Sequence, residues 1–132
     1  MALLAAAFAN EGVVMKPYMI ERIVTPGGVT IEKKHEEKWF EATTPKRAAL
    51  IDGFMEEVVK KGTGTSAEVA GVRVTGKTGT AENTGKDHAW FIGSAEVHGR
   101  KAAFAIIVEN SGGGGSEAAP IARRLIARLQ EE

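Results

Sequence analysis

Between Val72 and Asn83 the chain reads V-R-V-T-G-K-T-G-T-A-E-N, and this stretch narrows the folds open to it. Val72 and Val74 alternate with polar residues, and short β-branched alternation specifies a strand. Gly76 and Gly79 interrupt it. Glycine weakens a strand unless its missing side chain is useful, so another backbone or a ligand is expected to come close there. Lys77 lies between the two glycines, with the hydroxyls of Thr78 and Thr80 beside it. A cation, hydroxyls and exposed backbone N–H groups on one rigid edge suit a bound anion or a developing oxyanion.

The flanking sequence supplies a scaffold for such an edge. Ala2 to Asn10 reads as a helix packed on several sides, stopped at Gly12. Lys16 to Thr25 suits a strand, Pro26-Gly27-Gly28 a turn, and Val29 to Glu32 the returning half of a hairpin. Lys33 to Lys38 is a charge run and is expected to be a solvated edge. Thr44 as N-cap and Pro45 at the first helical position open a helix that runs through Lys61 and stops at Gly62. Its apolar stripe, Ala49, Leu50, Phe54 and Val58 with Ile51, Met55 and Val59, is expected to be core. Two strands follow the opening stretch, His88 to Ala95 and a near-continuous apolar run from Ala102 to Glu109, the latter expected to be buried on both faces. Short turns make the set an antiparallel meander. The tetraglycine segment Ser111 to Ser116 reads as a flexible loop that either packs near a site or, the preferred reading, is a loop tip, before a last helix over Ala118 to Leu129. Helices flanking an antiparallel sheet, a three-strand meander plus a hairpin, make the fold class α+β.

At 132 residues and 43% hydrophobic, the chain is one domain's worth with a packed core. Basic and acidic residues both total 17, so no basic face is offered to nucleic acid. There is no cysteine, which excludes thiol catalysis and disulfides. No His, Asp or Glu cluster has metal-ligand spacing, so neither metal nor cofactor is expected. The apolar stretch Ala2 to Ala9 is far shorter than the roughly 20 residues of a membrane-spanning helix.

Gly71-x-x-x-x-Gly76-Lys77-Thr78 spells a phosphate-binding P-loop, but its context does not fit. Three of the four intervening residues, Val72, Val74 and Thr75, are β-branched and suited to a strand rather than a cradle. No helix pattern follows Thr78. In another setting the same residues carry a different meaning. Lys77-Thr78-Gly79 on a strand resembles the third active-site motif of penicillin-binding proteins and serine β-lactamases. The His88-Ala-Trp-Phe-Ile-Gly93 strand, Val108-Glu-Asn110 before a glycine-rich loop, and Ala118-Ala-Pro-Ile-Ala122 at the last helix resemble class B penicillin-binding transpeptidases. So do Gly62-Thr-Gly-Thr65, Ala9-Asn-Glu-Gly12 and Lys16-Pro-Tyr18, in the same order along almost the whole chain.

That resemblance implies a D,D-transpeptidase that cross-links peptidoglycan stem peptides through a serine acyl-enzyme and is acylated by β-lactams, which mimic acyl-D-Ala-D-Ala. By position, Lys77 would lend positive potential beside the acylating serine, Thr78 and Thr80 would bind the substrate or drug carboxylate, and Gly79 would let the acyl chain pass. The Thr80 N–H would supply half an oxyanion hole. A regular pleat would put Lys77 opposite Thr78 and Thr80, which calls for a twist or bulge at the glycines, or for a different assignment. The resemblance also implies an extracytoplasmic location, with the parent protein anchored by an N-terminal segment.

One departure is decisive for the chemistry. The serines are Ser66, Ser94, Ser111 and Ser116; none is followed three positions on by Lys or two positions on by Asn. The S-x-x-K nucleophile and S-x-N motifs are therefore missing. Residues 1–132 are expected to be the C-terminal portion of a transpeptidase domain, with the rest of that domain as partner and no activity of their own. A β-lactam sensor or β-lactamase relative, and a non-catalytic interaction domain with a degenerate pocket, are the alternatives. Elsewhere the structural reading is preferred: His88 as a satisfied or surface histidine, His35 and His98 as surface residues, Trp90 as strand packing, and Glu82 as an exposed strand-end carboxylate.

Overall fold

The computed structural model describes residues 1–131. Its centre is an antiparallel sheet of β5 (Arg73–Ala81), β6 (His88–Val97) and β7 (Arg100–Val108), in that spatial order. β6 and β7 meet at His98-Gly99, both with positive φ (51° and 72°), as a two-residue hairpin turn of the mirror-image type requires. Helix α3 (Ala119–Gln130) packs its buried Ala119, Ala122 and Ile126 on one sheet face, against Val74, Phe91, Ala95, Val97 and Phe104. Helix α1 (Ala2–Ala9) covers the other face over β6 and β7, where Lys101 Nζ donates to the Ala9 carbonyl at 2.9 Å.

Helix α2 (Pro45–Lys61) flanks β5. It begins as its sequence predicts: Thr44 Oγ1 accepts from the Arg47 N–H at 3.4 Å, and Pro45 occupies the first turn. Two short ribbons lie outside the main sheet. β1 (Val13–Met15) pairs with β4 (Lys38–Glu41), and β2 (Arg22–Val24) with β3 (Thr30–Lys33).

Several expectations are corrected. The strand over Lys16 to Thr25 is confined to Arg22–Val24, because Pro17 removes a backbone donor and the preceding residues have no partner strand. The β1–β4 pairing carries no hairpin signal, being closed through twenty-odd intervening residues, and was not foreseen. Lys38, the end of the charge run, opens β4. On α2 the buried face is Ala48, Asp52, Met55 and Val59, while Leu50 and Phe54 are exposed. On α1 Ala5 and Ala7 are buried, on opposite sides of a helix that meets α2, β1, β6 and β7, while Leu3 and Leu4 in its first turn are exposed. β7 is a sheet edge rather than a central strand, which leaves Phe104 its one buried side chain and Ile107 open to solvent.

Asp52 is buried because β5 brings it a partner. Arg73 Nη2 donates to Asp52 Oδ2 at 2.8 Å, and Arg73 Nε donates to Glu56 Oε2, also at 2.8 Å. Asp52 Oδ1 is buried with no hydrogen-bond partner among the described residues. The guanidinium thus ties the start of β5 to the middle of α2. The Lys60 ammonium, with Arg73 behind it, holds the Glu56 carboxyl below its ordinary range. A depressed carboxyl stabilises the fold above its unfolded pKa, about 4.3, and loses that contribution as pH falls through the folded value.

Arg73→Ala should therefore cost on the order of 2 kcal/mol in urea titration by stranding the Asp52 carboxylate, and Asp52→Asn should restore part of it. Glu56→Gln should be less stable than the unchanged chain at pH 7 and converge with it below about pH 4. A stability difference that stays constant across that range would rule out the Glu56 linkage.

Candidate functional site

Lys77, Thr78, Gly79 and Thr80 occupy the second half of β5, an edge strand whose one partner among the described residues is β6. The ladder is regular: Lys77 faces Ile92, Thr78 faces Phe91, Gly79 faces Trp90 and Thr80 faces Ala89, with no bulge. Lys77 and Gly79 thus share a face with Ile92 and Trp90, while Thr78 and Thr80 lie on the other face. The expected bulge at the glycines is therefore absent from the β5–β6 ladder. On an edge strand, a chain laid along the edge meets side chains from both faces. The residues of this segment, with Met1, Ala81, Trp90 and Ile92, line a shallow concavity of about 310 Å³.

Lys77 is exposed, and its Nζ donates to the Thr78 carbonyl on its own strand at 2.7 Å. Thr80 is exposed, and Thr78 is half-buried with its Oγ1 2.6 Å from Thr63 Oγ1. A larger depression, about 760 Å³, lies beyond the β6–β7 turn between that turn and the end of α3, remote from Lys77. It gathers His98, Arg100 and Lys101 without a nucleophile or an anion-binding strand beside them.

The tetraglycine segment is not a loop tip. Gly114 is buried, and a Cβ there would lie 2.2 Å from the Trp90 carbonyl oxygen, 2.6 Å from that of Gly79 and 2.9 Å from the Gly79 nitrogen. A Cβ on Gly115 would lie 2.5 Å from the Thr63 carbonyl oxygen. Residues Gly114–Ala118 form a π-helical turn ahead of α3, so the helical backbone starts earlier than Ala118 and rests directly on the K-T-G strand. Such widened turns are frequent at functional sites. Trp90 packs its Cβ 3.3 Å from where a Gly79 side chain would begin, and its half-buried side chain also lines the concavity.

Beyond Ala81 a polar cluster closes the strand end. His88 Nδ1 accepts from the Asn110 N–H at 3.0 Å, and its Nε2 lies 3.2 Å from Asn83 Nδ2. Asn83 Nδ2 donates to Asn110 Oδ1 at 2.7 Å. The N–H groups of Ser111 and Gly112 both donate to the Asp87 carbonyl, at 3.0 Å. His88 is thus a hydrogen-bonded structural residue. Among the described residues, no group of His, Asp or Glu gathers in a form that could hold a metal ion, and no helix is long and apolar enough to cross a membrane. The sequence placed Thr63 within a block of the family resemblance, and Gly114 and Gly115 within a glycine-rich loop, but assigned none of them a role. Their glycine-rich surroundings were visible, but what they approach was not.

An α+β domain with a K-T-G edge strand, backed by a glycine turn and a C-terminal helix, defines a class. The family model for the penicillin binding protein transpeptidase domain matches residues 1–127, and the chain belongs to that family. It is 37% identical to the peptidoglycan D,D-transpeptidase PbpA of Mycolicibacterium smegmatis, over 99% of this chain and 28% of the relative. It is 33% identical to the peptidoglycan D,D-transpeptidase MrdA of Haemophilus influenzae, over 89% of this chain and 21% of that protein. Among solved structures, the D,D-transpeptidase domain of a peptidoglycan glycosyltransferase from Eggerthella lenta superposes with a TM-score of 0.88 at 31% identity, over 98% of this chain and 31% of that one. Penicillin-binding protein A of Mycobacterium tuberculosis, solved as an imipenem acyl-enzyme complex, gives a TM-score of 0.84 at 32% identity, over 99% of this chain and 30% of that one. The chain thus spans less than a third of the relatives it matches, and its fold is that of their penicillin-binding domains.

Gly114→Ala should cost about 1–3 kcal/mol in denaturant titration by pushing the π turn off the backbones of β5 and β6. Gly113→Ala, whose Cβ would meet only Ser116 Oγ at 3.5 Å, should change stability by less than about 0.5 kcal/mol. Equal costs at the two positions would contradict the close-packing account.

Proposed function

We propose that this chain supplies the K-T-G wall of the active site of a peptidoglycan D,D-transpeptidase, and that the parent enzyme is acylated by β-lactams through a serine outside these residues. The observation that carries the proposal is the position of Lys77–Thr80: an edge strand with a cation on one face and two hydroxyls on the other. A stem peptide ending in acyl-D-Ala-D-Ala presents an extended backbone and a terminal carboxylate. Laid along the β5 edge, it brings the carboxylate to Thr78 and Thr80 and the scissile carbonyl to the Thr80 N–H. Gly79 leaves room for the acyl chain. Lys77 supplies positive potential to the serine of the adjoining part of the domain, and an ammonium with neighbouring hydroxyls suits both anions of the reaction.

The chemistry is acyl transfer. The serine hydroxyl gives up its proton to a base and attacks the carbonyl, and the C–N bond breaks as a proton passes to its nitrogen; D-alanine then departs and an acceptor amine takes the acyl group, whereas the nitrogen of an opened β-lactam stays tethered to the acyl-enzyme. Nothing in residues 1–132 provides the attacking hydroxyl with its Lys, since none of the four serines has the required neighbour. The role of this chain is therefore to bind and polarise, in partnership with the rest of the transpeptidase domain. That substrate lies outside the cytoplasmic membrane, so the proposal carries an extracytoplasmic location.

The purified 132-residue chain should show no covalent labelling by a fluorescent penicillin; stoichiometric labelling would refute the missing-nucleophile reading. In the parent enzyme, Lys77→Ala should slow acylation by about 100-fold or more. Labelling of that variant at a near-normal rate would remove Lys77 from the proposed role.

A further inference from the structure

Thr63 was not among the residues singled out by the strand motif, yet its hydroxyl oxygen is 2.6 Å from that of Thr78. That is shorter than the usual O–H···O distance of about 2.7–2.8 Å, and the pair sits beside the proposed carboxylate site. The loop that carries Thr63 is fixed from several sides. The N–H groups of Gly62 and Gly64 both donate to the Val58 carbonyl, at 3.1 and 3.0 Å, at the end of α2. A Cβ on Gly64 would lie 3.1 Å from Phe91 Cε2, and the Thr63 carbonyl abuts Gly115. Thr63 therefore reaches Thr78 from a tightly seated loop rather than from a free one.

A hydroxyl has one proton to give. If Thr78 donated to Thr63, it would turn only lone pairs toward a ligand and would repel a carboxylate. If Thr63 donates to Thr78, the Thr78 proton is free for the anion, and the first bond polarises the second. We propose that Thr63 is a positioning residue of the carboxylate site: it donates to Thr78, so that an anion is bound at the end of a Thr63–Thr78 hydroxyl relay with Thr80 as second donor. The proposal rests on the transpeptidase reading of Lys77–Thr80 and adds to it a residue from the α2–β5 loop. The orientation is selected by negative charge, so the relay discriminates a carboxylate from its ester.

The test compares acylation of the parent enzyme by penicillin G and by penicillin G methyl ester. Thr63→Val, isosteric but without the hydroxyl, should slow acylation by the acid on the order of tenfold and leave the ester rate nearly unchanged. Thr63→Ser should keep the unchanged enzyme's acid-to-ester ratio. The Thr63→Val/Thr78→Val double variant should be no slower with the acid than Thr78→Val alone, because the relay is already cut. Equal slowing of acid and ester would make Thr63 merely structural and overturn the proposal, as would unaltered rates or additive losses in the double variant. Should Thr63→Val fail to fold, Thr63→Ala against Thr63→Ser gives the same ratio test. A parent enzyme that no penicillin acylates defeats the transpeptidase reading itself; normal acylation with an insensitive Thr63 defeats only the relay.

Discussion

The Phe91 side chain holds the site together by occupying the space that Gly76 leaves. It is fully buried at the centre of β6, and a Cβ on Gly76 would lie 2.3 Å from its Cζ. The ring stacks on Phe104 of β7 with centroids 6.1 Å apart, and its other edge meets Gly64 of the loop after α2. One aromatic side chain thus sets the separation of β5, β7 and the Thr63 loop. The glycine in the strand, costly to the strand by itself, is needed because a larger residue would displace the ring. Gly93, directly opposite Gly76, is required in turn, since its Cβ would sit 2.1 Å from the Thr75 carbonyl oxygen.

Two polar clamps bracket the strand on either side of this apolar seat. At the start of β5, Arg73 is held by Asp52 and Glu56; at its far end, His88, Asn83 and Asn110 join the β5–β6 turn to the end of β7. Between them the strand leaves Lys77 and Thr80 exposed and holds Thr78 half-buried against Thr63. A strand fixed at both ends and along its back can leave its reactive edge exposed without loosening it. Thr75 and Ser94, opposed across the ladder and bonded at 2.9 Å, add a buried hydroxyl pair in the middle.

The meander, the long helix and its caps were legible in sequence because their signals are local. Alternation, short turns, Thr44-Pro45 and Gly62 each act within a few residues. The β1–β4 pairing was not legible, because it joins segments far apart with no turn chemistry between them. The stripe on α2 misled for a related reason: helical spacing marks apolar faces, and Leu50 and Phe54 are apolar without being covered by described residues. In the site, Lys77–Thr80 could be found from the motif, whereas Thr63, Gly114 and Gly115 depend on which backbone passes within a few ångströms. The tetraglycine run shows the limit most directly. A glycine kept for close packing and a glycine kept for flexibility are the same letter.

The β2–β3 ribbon has a consequence for the dynamics of the whole chain. None of its residues is buried; Ile23, Val24 and Ile31 are all exposed, and among the described residues β2 and β3 pair with no other strand. An isolated two-stranded ribbon is marginal in water. Its amides should therefore exchange with solvent by local opening, on a far faster timescale than those of β5 to β7, and a protease should nick it first. Such a cut would sever the chain between two covered regions and leave the K-T-G strand, its aromatic seat and both clamps intact.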